Sequence, residues 1–195
     1  MYPPWKLEGD VLREGQEDAV RLWVAEQEKA GLDVVTDGEQ RRQHYIWGFF
    51  QGLEGIDTIN LGMRPQRAQR YRKEIVAARL VSGPDYRGTI FVDALRATRA
   101  LTNRPIKVTL PGPMTIVDSI IDTVGGRSEE QLAMRFAELL NAEARALEEA
   151  GADVIQFDEP CFNVYVDKVK DWGMAALECS LFRRSISAFS RMLRS

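Results

Sequence analysis

The chain has 195 residues, 45% of them hydrophobic and 28% charged, an ordinary globular composition that can bury one sizeable core and predicts one domain. A net charge of −3 and a pI near 5.4 give no general attraction to phosphate backbones or acidic membranes, so nucleic acid is not an expected partner despite the local cluster Arg64, Arg67, Arg70, Arg72 and Lys73. Cys161 and Cys179 lack the spacing of a disulfide scaffold or a closed cysteine zinc site, and with no signal-like start and no stretch of roughly 18 apolar residues, a soluble cytoplasmic protein is expected.

In residues 15–30, Ala19, Val20, Trp23, Val24 and Ala30 recur at three- and four-residue steps between Arg21, Glu26, Glu28 and Lys29, the period of an amphipathic helix. Gly31 is its expected stop, and residues 32–36 form a short β-rich run. Residues 64–104 are arginine-rich and read as an inserted excursion, with hairpin strands at 74–81 and 89–92 turning around Gly83-Pro84-Asp85. A further strand is predicted at 106–110, ended by Pro111-Gly112-Pro113.

Ser128 and Gln131 spell a capping box, and Leu132, Phe136, Leu139, Leu140 and Leu147 mark the apolar stripe of a second long helix. Ala150-Gly151 closes it, and residues 153–157 read as the next strand. Residues 30–39 laid over 150–159 match in Ala, Gly, Asp, Val, an aliphatic and the final Glu. A helix feeding a strand that ends in carboxylates, twice, is the pattern of αβ units in a parallel sheet whose strand ends build a site.

The candidate residues are therefore Glu39, Asp158 and Glu159, placed where a barrel enzyme collects binding groups and able to hold an ammonium group. The plainer alternative is that they cap a following helix or pair with Arg41 or Arg42. Pro160 fixes how the loop leaves the strand, but strand alternation does not choose between Asp158 and Glu159 once the strand has ended. His44, the one histidine, is either a ligand contact or a hydrogen-bonded structural group, with zinc ligation the weaker reading. Tyr45, Trp47, Phe49 and Phe50 are expected mostly in the core, both cysteines are expected to be buried or incidental, and residues 111–115 form a small turn without a phosphate-cradling pattern.

Three ordered segments, Asp37-Gly38-Glu39-Gln40-Arg41-Arg42-Gln43-His44, Leu110-Pro111-Gly112-Pro113-Met114-Thr115 and Ile155-Gln156-Phe157-Asp158-Glu159-Pro160, resemble the catalytic barrel of the cobalamin-independent methionine synthase family, especially its short single-barrel members. The resemblance covers about residues 5–178. It implies a (β/α)8 barrel that moves a methyl group from a methylfolate-type donor to homocysteine sulfur, with zinc binding the thiolate. By position, Glu39 matches a glutamate contacting the amino acid, Asp158 the aspartate holding its ammonium group, and Glu159 a supporting residue.

The family's zinc ligands come from a His-x-Cys segment, a glutamate and a further cysteine after the Asp-Glu-Pro strand, and no position here matches them. No metal or catalytic residue is therefore assigned, and zinc is expected of the family rather than of this chain. A barrel of eight strands needs about 250 residues, so a partial (β/α)8 TIM-type barrel with an inserted hairpin region is expected in residues 1–178, followed at 179–195 by an atypical tail, frameshifted or disordered. The implied partners are a homocysteine-like amino acid and a methyl donor, with no membrane and no fixed oligomeric state, and the chain alone is expected to be inactive. The alternatives are another barrel enzyme with paired carboxylates, such as a glycoside hydrolase using Glu39 and Glu159, or a noncatalytic remnant.

Overall fold

The structure is a computed structural model that describes residues 5–65 and 74–181. The first helix, α1 (Gly9–Lys29), turns only Val20 and Val24 fully inward and ends at Gly31. The strand expected at 32–36 shrinks to a single parallel bridge, Val35 to Ile106. Its cause is Gln27, whose side-chain amide donates to the Thr36 carbonyl at 2.8 Å and accepts the Thr36 N–H at 3.0 Å. Both backbone groups of Thr36 are thereby satisfied without a neighbouring strand.

Helix α2 (Tyr45–Phe50) buries Ile46, Trp47, Phe49 and Phe50, so the aromatic run fills core as expected. Strand β1 (Leu53–Pro65) then pairs antiparallel with β2 (Glu74–Tyr86), which also runs parallel to the short β4 (Ile120–Asp122). A hairpin is present, but not where the turn residues suggested. Gly83-Pro84-Asp85 lies inside β2, where the register jumps from Ile56↔Leu80 to Glu54↔Asp85. Residues 81–84 are bulged out of the ladder there, so the N–H that Pro84 lacks is not needed.

Nor do residues 89–92 form a strand, because Val92 begins α3 (Val92–Arg99). Glu143, fully buried on α5 (Glu129–Glu149), accepts the N–H groups of Ile90 at 2.9 Å and Phe91 at 2.7 Å, together with the Tyr86 hydroxyl. A buried carboxylate thus satisfies the donors at the helix start. Strand β3 (Lys107–Pro111) runs parallel to β5 (Val154–Asp158) in an unbroken register from Lys107↔Val154 to Pro111↔Asp158. With Val35 on the opposite side of β3, three chain segments lie parallel.

Helix α4 (Pro113–Asp118) follows β3 directly. The capping box of α5 forms as expected, Gln131 N–H to Ser128 Oγ at 3.1 Å and Ser128 N–H to Gln131 Oε1 at 3.0 Å, a device worth ~1 kcal/mol. The core runs through Phe50, Leu80, Leu110, Ile116, Phe136, Leu140 and Leu147, joining both sheets to α2, α4 and α5. After a 3-10 turn at Pro160–Asn163, α6 (Val166–Lys168) leads through a π turn into α7 (Met174–Ser180). Cys179 and Ser180, the first residues of the expected tail, belong to α7, and residues 182–195 lie outside the described residues. Tyr2 and most of the basic cluster, Arg67, Arg70, Arg72 and Lys73, are outside them too. Among the described residues no helix is long and apolar enough to cross a membrane.

Candidate functional site

The site gathers where β3 and β5 end and the chain after Val35 folds back. The loop from Thr36 to His44 is shaped by its own side chains. Thr36 Oγ1 accepts the Gly38 N–H at 3.1 Å and Asp37 Oδ1 accepts the Glu39 N–H at 2.9 Å, a turn that short polar side chains favour. Gly38 has φ 65°, and a Cβ there would come within 2.5 Å of the Trp23 indole, so backbone and packing both demand glycine. Glu39 follows at φ 57°, the one described non-glycine residue with a left-handed backbone.

Arg42 ties this loop to the sheet. Its guanidinium lies 3.6 Å from Glu39 Oε1, donates to the Thr109 carbonyl at 2.8 Å and stacks 3.9 Å over the Phe91 ring, leaving the side chain 6% exposed. Burial raises the Glu39 pKa, Arg42 pulls it down, and Asp37 and Asp158 push it up again. That last effect places Asp158 in electrostatic reach of Glu39. Asp158 Oδ1 accepts the Gln156 side-chain amide at 2.6 Å, and its carbonyl accepts the Gly112 N–H at 2.7 Å.

Glu159 is turned elsewhere. Its Oε2 accepts the Met114 N–H at 2.8 Å, and its Oε1 accepts the Thr115 N–H at 2.8 Å and the Thr115 hydroxyl, so the carboxylate caps α4. The approach is close enough that a Cβ on Gly112 would stand 2.2 Å from Glu159 Oε2. Burial pushes the Glu159 carboxyl up to about 7 against the pull of the Thr115 and Met114 bonds. Of the two adjacent acids that alternation left undecided, Glu159 is taken up by α4, while Asp158 is bonded to Gln156 and acts on the charge of Glu39.

His44 is the N-cap of α2, its Nδ1 accepting the Ile46 N–H at 3.3 Å, and burial lowers its pKa. It also lines a cavity of about 150 Å³ with Tyr45, Trp47, Thr115, Asp118 and Cys161. Asp118 was not anticipated. It is held by the Tyr165 hydroxyl at 2.6 Å and by Arg64 at 3.7 Å, and burial together with Asp118 raises the Tyr165 pKa. No local pattern announces partners separated by some fifty positions, and the same holds for Glu143 and Tyr86.

Zinc has no fitting donor set here: among the described residues no group of three or more His, Cys, Asp or Glu side chains can hold a metal ion. The His44 Nδ1 lone pair already accepts from Ile46, and Cys161 and Cys179 lie on the 3-10 turn and on α7.

Residues 8–183 match the family model described as the cobalamin-independent synthase catalytic domain. The chain belongs to the cobalamin-independent methionine synthase family. A methionine synthase of Sulfurisphaera tokodaii is 31% identical over 182 residues, which are 93% of this chain and 52% of that protein. A 5-methyltetrahydropteroyltriglutamate–homocysteine methyltransferase of Yersinia enterocolitica is 32% identical over 155 residues, 80% of this chain and 20% of that protein. The solved B12-independent methionine synthase of a Shewanella species, in complex with selenomethionine, superposes with a TM-score of 0.85 at 44% identity, covering 91% of this chain and 51% of that one. A structure from Listeria monocytogenes, at 18% identity and a TM-score of 0.70, shares the fold. This methionine synthase-family chain therefore spans about half the length of the archaeal relative and of the Shewanella structure, and Glu39, Asp158 and Glu159 all fall in the matched region.

Proposed function

We propose that this chain forms the amino-acid-binding part of a methionine synthase-type barrel, with Glu39 and Asp158 receiving the ammonium group of a homocysteine-like amino acid. The observation that carries the reading is that the charge of Asp158, at the end of β5, reaches Glu39 and raises its pKa. Two acids held together in a half-buried site are stabilised most by a cation between them. Glu159 supports the pair indirectly, by fixing the turn that joins the end of β3 to α4. The selenomethionine complex of the Shewanella relative is consistent with such a ligand.

On this reading Val35, β3 and β5 are three adjacent strands of a (β/α)8 barrel, and β1 and β2 are the inserted hairpin. The family reaction is methyl transfer from a methylfolate-type donor to homocysteine sulfur, in a cytoplasmic setting, where zinc would lower the pKa of the homocysteine thiol. Among the described residues no donor set fits zinc, and on this reading the chain by itself binds the amino acid without forming methionine. A glycoside hydrolase would need Glu39 and Glu159 to face each other across a substrate, whereas Glu159 is bonded to α4.

Isothermal titration calorimetry of the full chain with L-methionine tests the proposal. Saturable binding is expected, weakened about tenfold or more in Asp158→Asn, as befits loss of a charged hydrogen bond. No binding, or equal binding by the variant, would sink it. Methionine formation by the purified chain from homocysteine and methyltetrahydrofolate would contradict the zinc statement.

A further inference from the structure

The face of the β3–β5 pair that ends in Asp158 is polar, and its side chains are linked. Lys107 begins β3, two places before Thr109, which is opposite Gln156, while Pro111 is opposite Asp158. Period-two alternation puts Lys107, Gln156 and Asp158 on one face. Lys107 Nζ donates to Gln156 Oε1 at 2.7 Å, and Gln156 Nε2 donates to Asp158 Oδ1 at 2.6 Å.

The direction of this chain is determined by chemistry. An ammonium group can only donate, so Gln156 must turn its oxygen to Lys107, and its NH2 group is then presented to a carboxylate that can only accept. Among the described residues Asp158 Oδ2 takes no hydrogen bond, in contrast to Oδ1.

We propose that Lys107 is a positioning residue for the amino-acid site: acting through Gln156, it holds Asp158 with Oδ1 occupied and Oδ2 presented to the ligand's ammonium group. The proposal rests on the reading of Asp158 as an ammonium acceptor. It also makes an unusual demand on sign. By charge alone, removing a lysine near an ammonium site would tighten binding of a cationic group, whereas loss of the orienting chain loosens it.

The test uses the full chain and its Lys107→Met and Lys107→Arg variants. In isotope-edited NMR without ligand, one Gln156 side-chain amide proton is expected downfield through its bond to Asp158. Lys107→Met should collapse that separation, and Lys107→Arg should retain it. Methionine affinity by calorimetry should fall about fivefold in Lys107→Met and recover in Lys107→Arg, while the desamino analogue 4-methylthiobutanoate should bind all three alike. Unchanged amide shifts would overturn the hydrogen-bond chain. Changed shifts with equal or tighter methionine binding would overturn the positioning role. Failure of the unsubstituted chain to bind methionine would instead defeat the ammonium reading and the role built on it, with the spectra still deciding the chain itself.

Discussion

Glu39 combines a left-handed backbone with a half-buried carboxylate beside two other acids, and each feature opposes folding. The backbone alone costs on the order of 1 kcal/mol. What offsets this is Arg42, the positive group that draws the Glu39 pKa back down while its own charge is shared with the Thr109 carbonyl and the Phe91 ring. An ammonium ligand requires Glu39 ionised, so affinity is expected to fall as pH drops through the raised Glu39 value. In Arg42→Gln that fall should begin at higher pH, measurable as the pH dependence of Kd for methionine above the ordinary glutamate value. Coincident profiles would show that Arg42 does not tune the acid.

Glu159 gives a second, ligand-free pH effect of defined sign. Its pKa rises from 4.5 to about 7 on folding, so its protonated form is favoured in the native state. The contribution is fully present below the ordinary value and is lost as pH rises through about 7, roughly 3 kcal/mol in all. Urea midpoints of the chain should therefore fall across this range more steeply than those of Glu159→Gln, and parallel curves would contradict the assignment. That the Asp158-Glu159 pair would sit at a strand end was legible in the repeat of residues 30–39 at 150–159, whereas Glu39 lies in a loop beyond the single bridge at Val35. Which of the two adjacent acids would be taken up by the following helix was not legible, because the choice depends on the α4 amides that capture Glu159.

Among the elements, the long α5 and the strands β3 and β5 were readable because each declares itself locally, by a capping box, an apolar stripe or a β-rich run stopped by a proline. The hairpin was misplaced because Gly83-Pro84-Asp85 carries a turn signature yet occupies a bulge, and only the register with β1 distinguishes the two. Helix α3 was missed for a related reason: its start depends on Glu143, some fifty positions away. Glu143→Ala leaves the Tyr86 hydroxyl and two N–H groups without their acceptor, and about 3 kcal/mol of stability should be lost in urea unfolding. A loss below about 1 kcal/mol would mean that water replaces the carboxylate there. Gly112→Ala should also destabilise, since its Cβ would displace the Glu159 cap.

At the scale of the molecule, the parallel arrangement of Val35 and β5 about β3 accords with two helix-to-strand units displayed by the repeat and a strand read separately before Pro111-Gly112-Pro113. The three-stranded sheet of β1, β2 and β4 does not, since β4 joins the hairpin of β1 and β2 from some forty positions further along the chain. Both sheets pack on one core, and the face of the parallel pair that holds Lys107 and Gln156 carries Asp158 within electrostatic reach of Glu39. The central claim is that this end receives an amino acid by its ammonium group. A crystal structure of the full chain grown with selenomethionine tests it most directly, because selenium marks the ligand and density marks its nitrogen. The account predicts that nitrogen within about 3 Å of both the Glu39 and Asp158 carboxylates; a ligand whose nitrogen meets neither acid would contradict it.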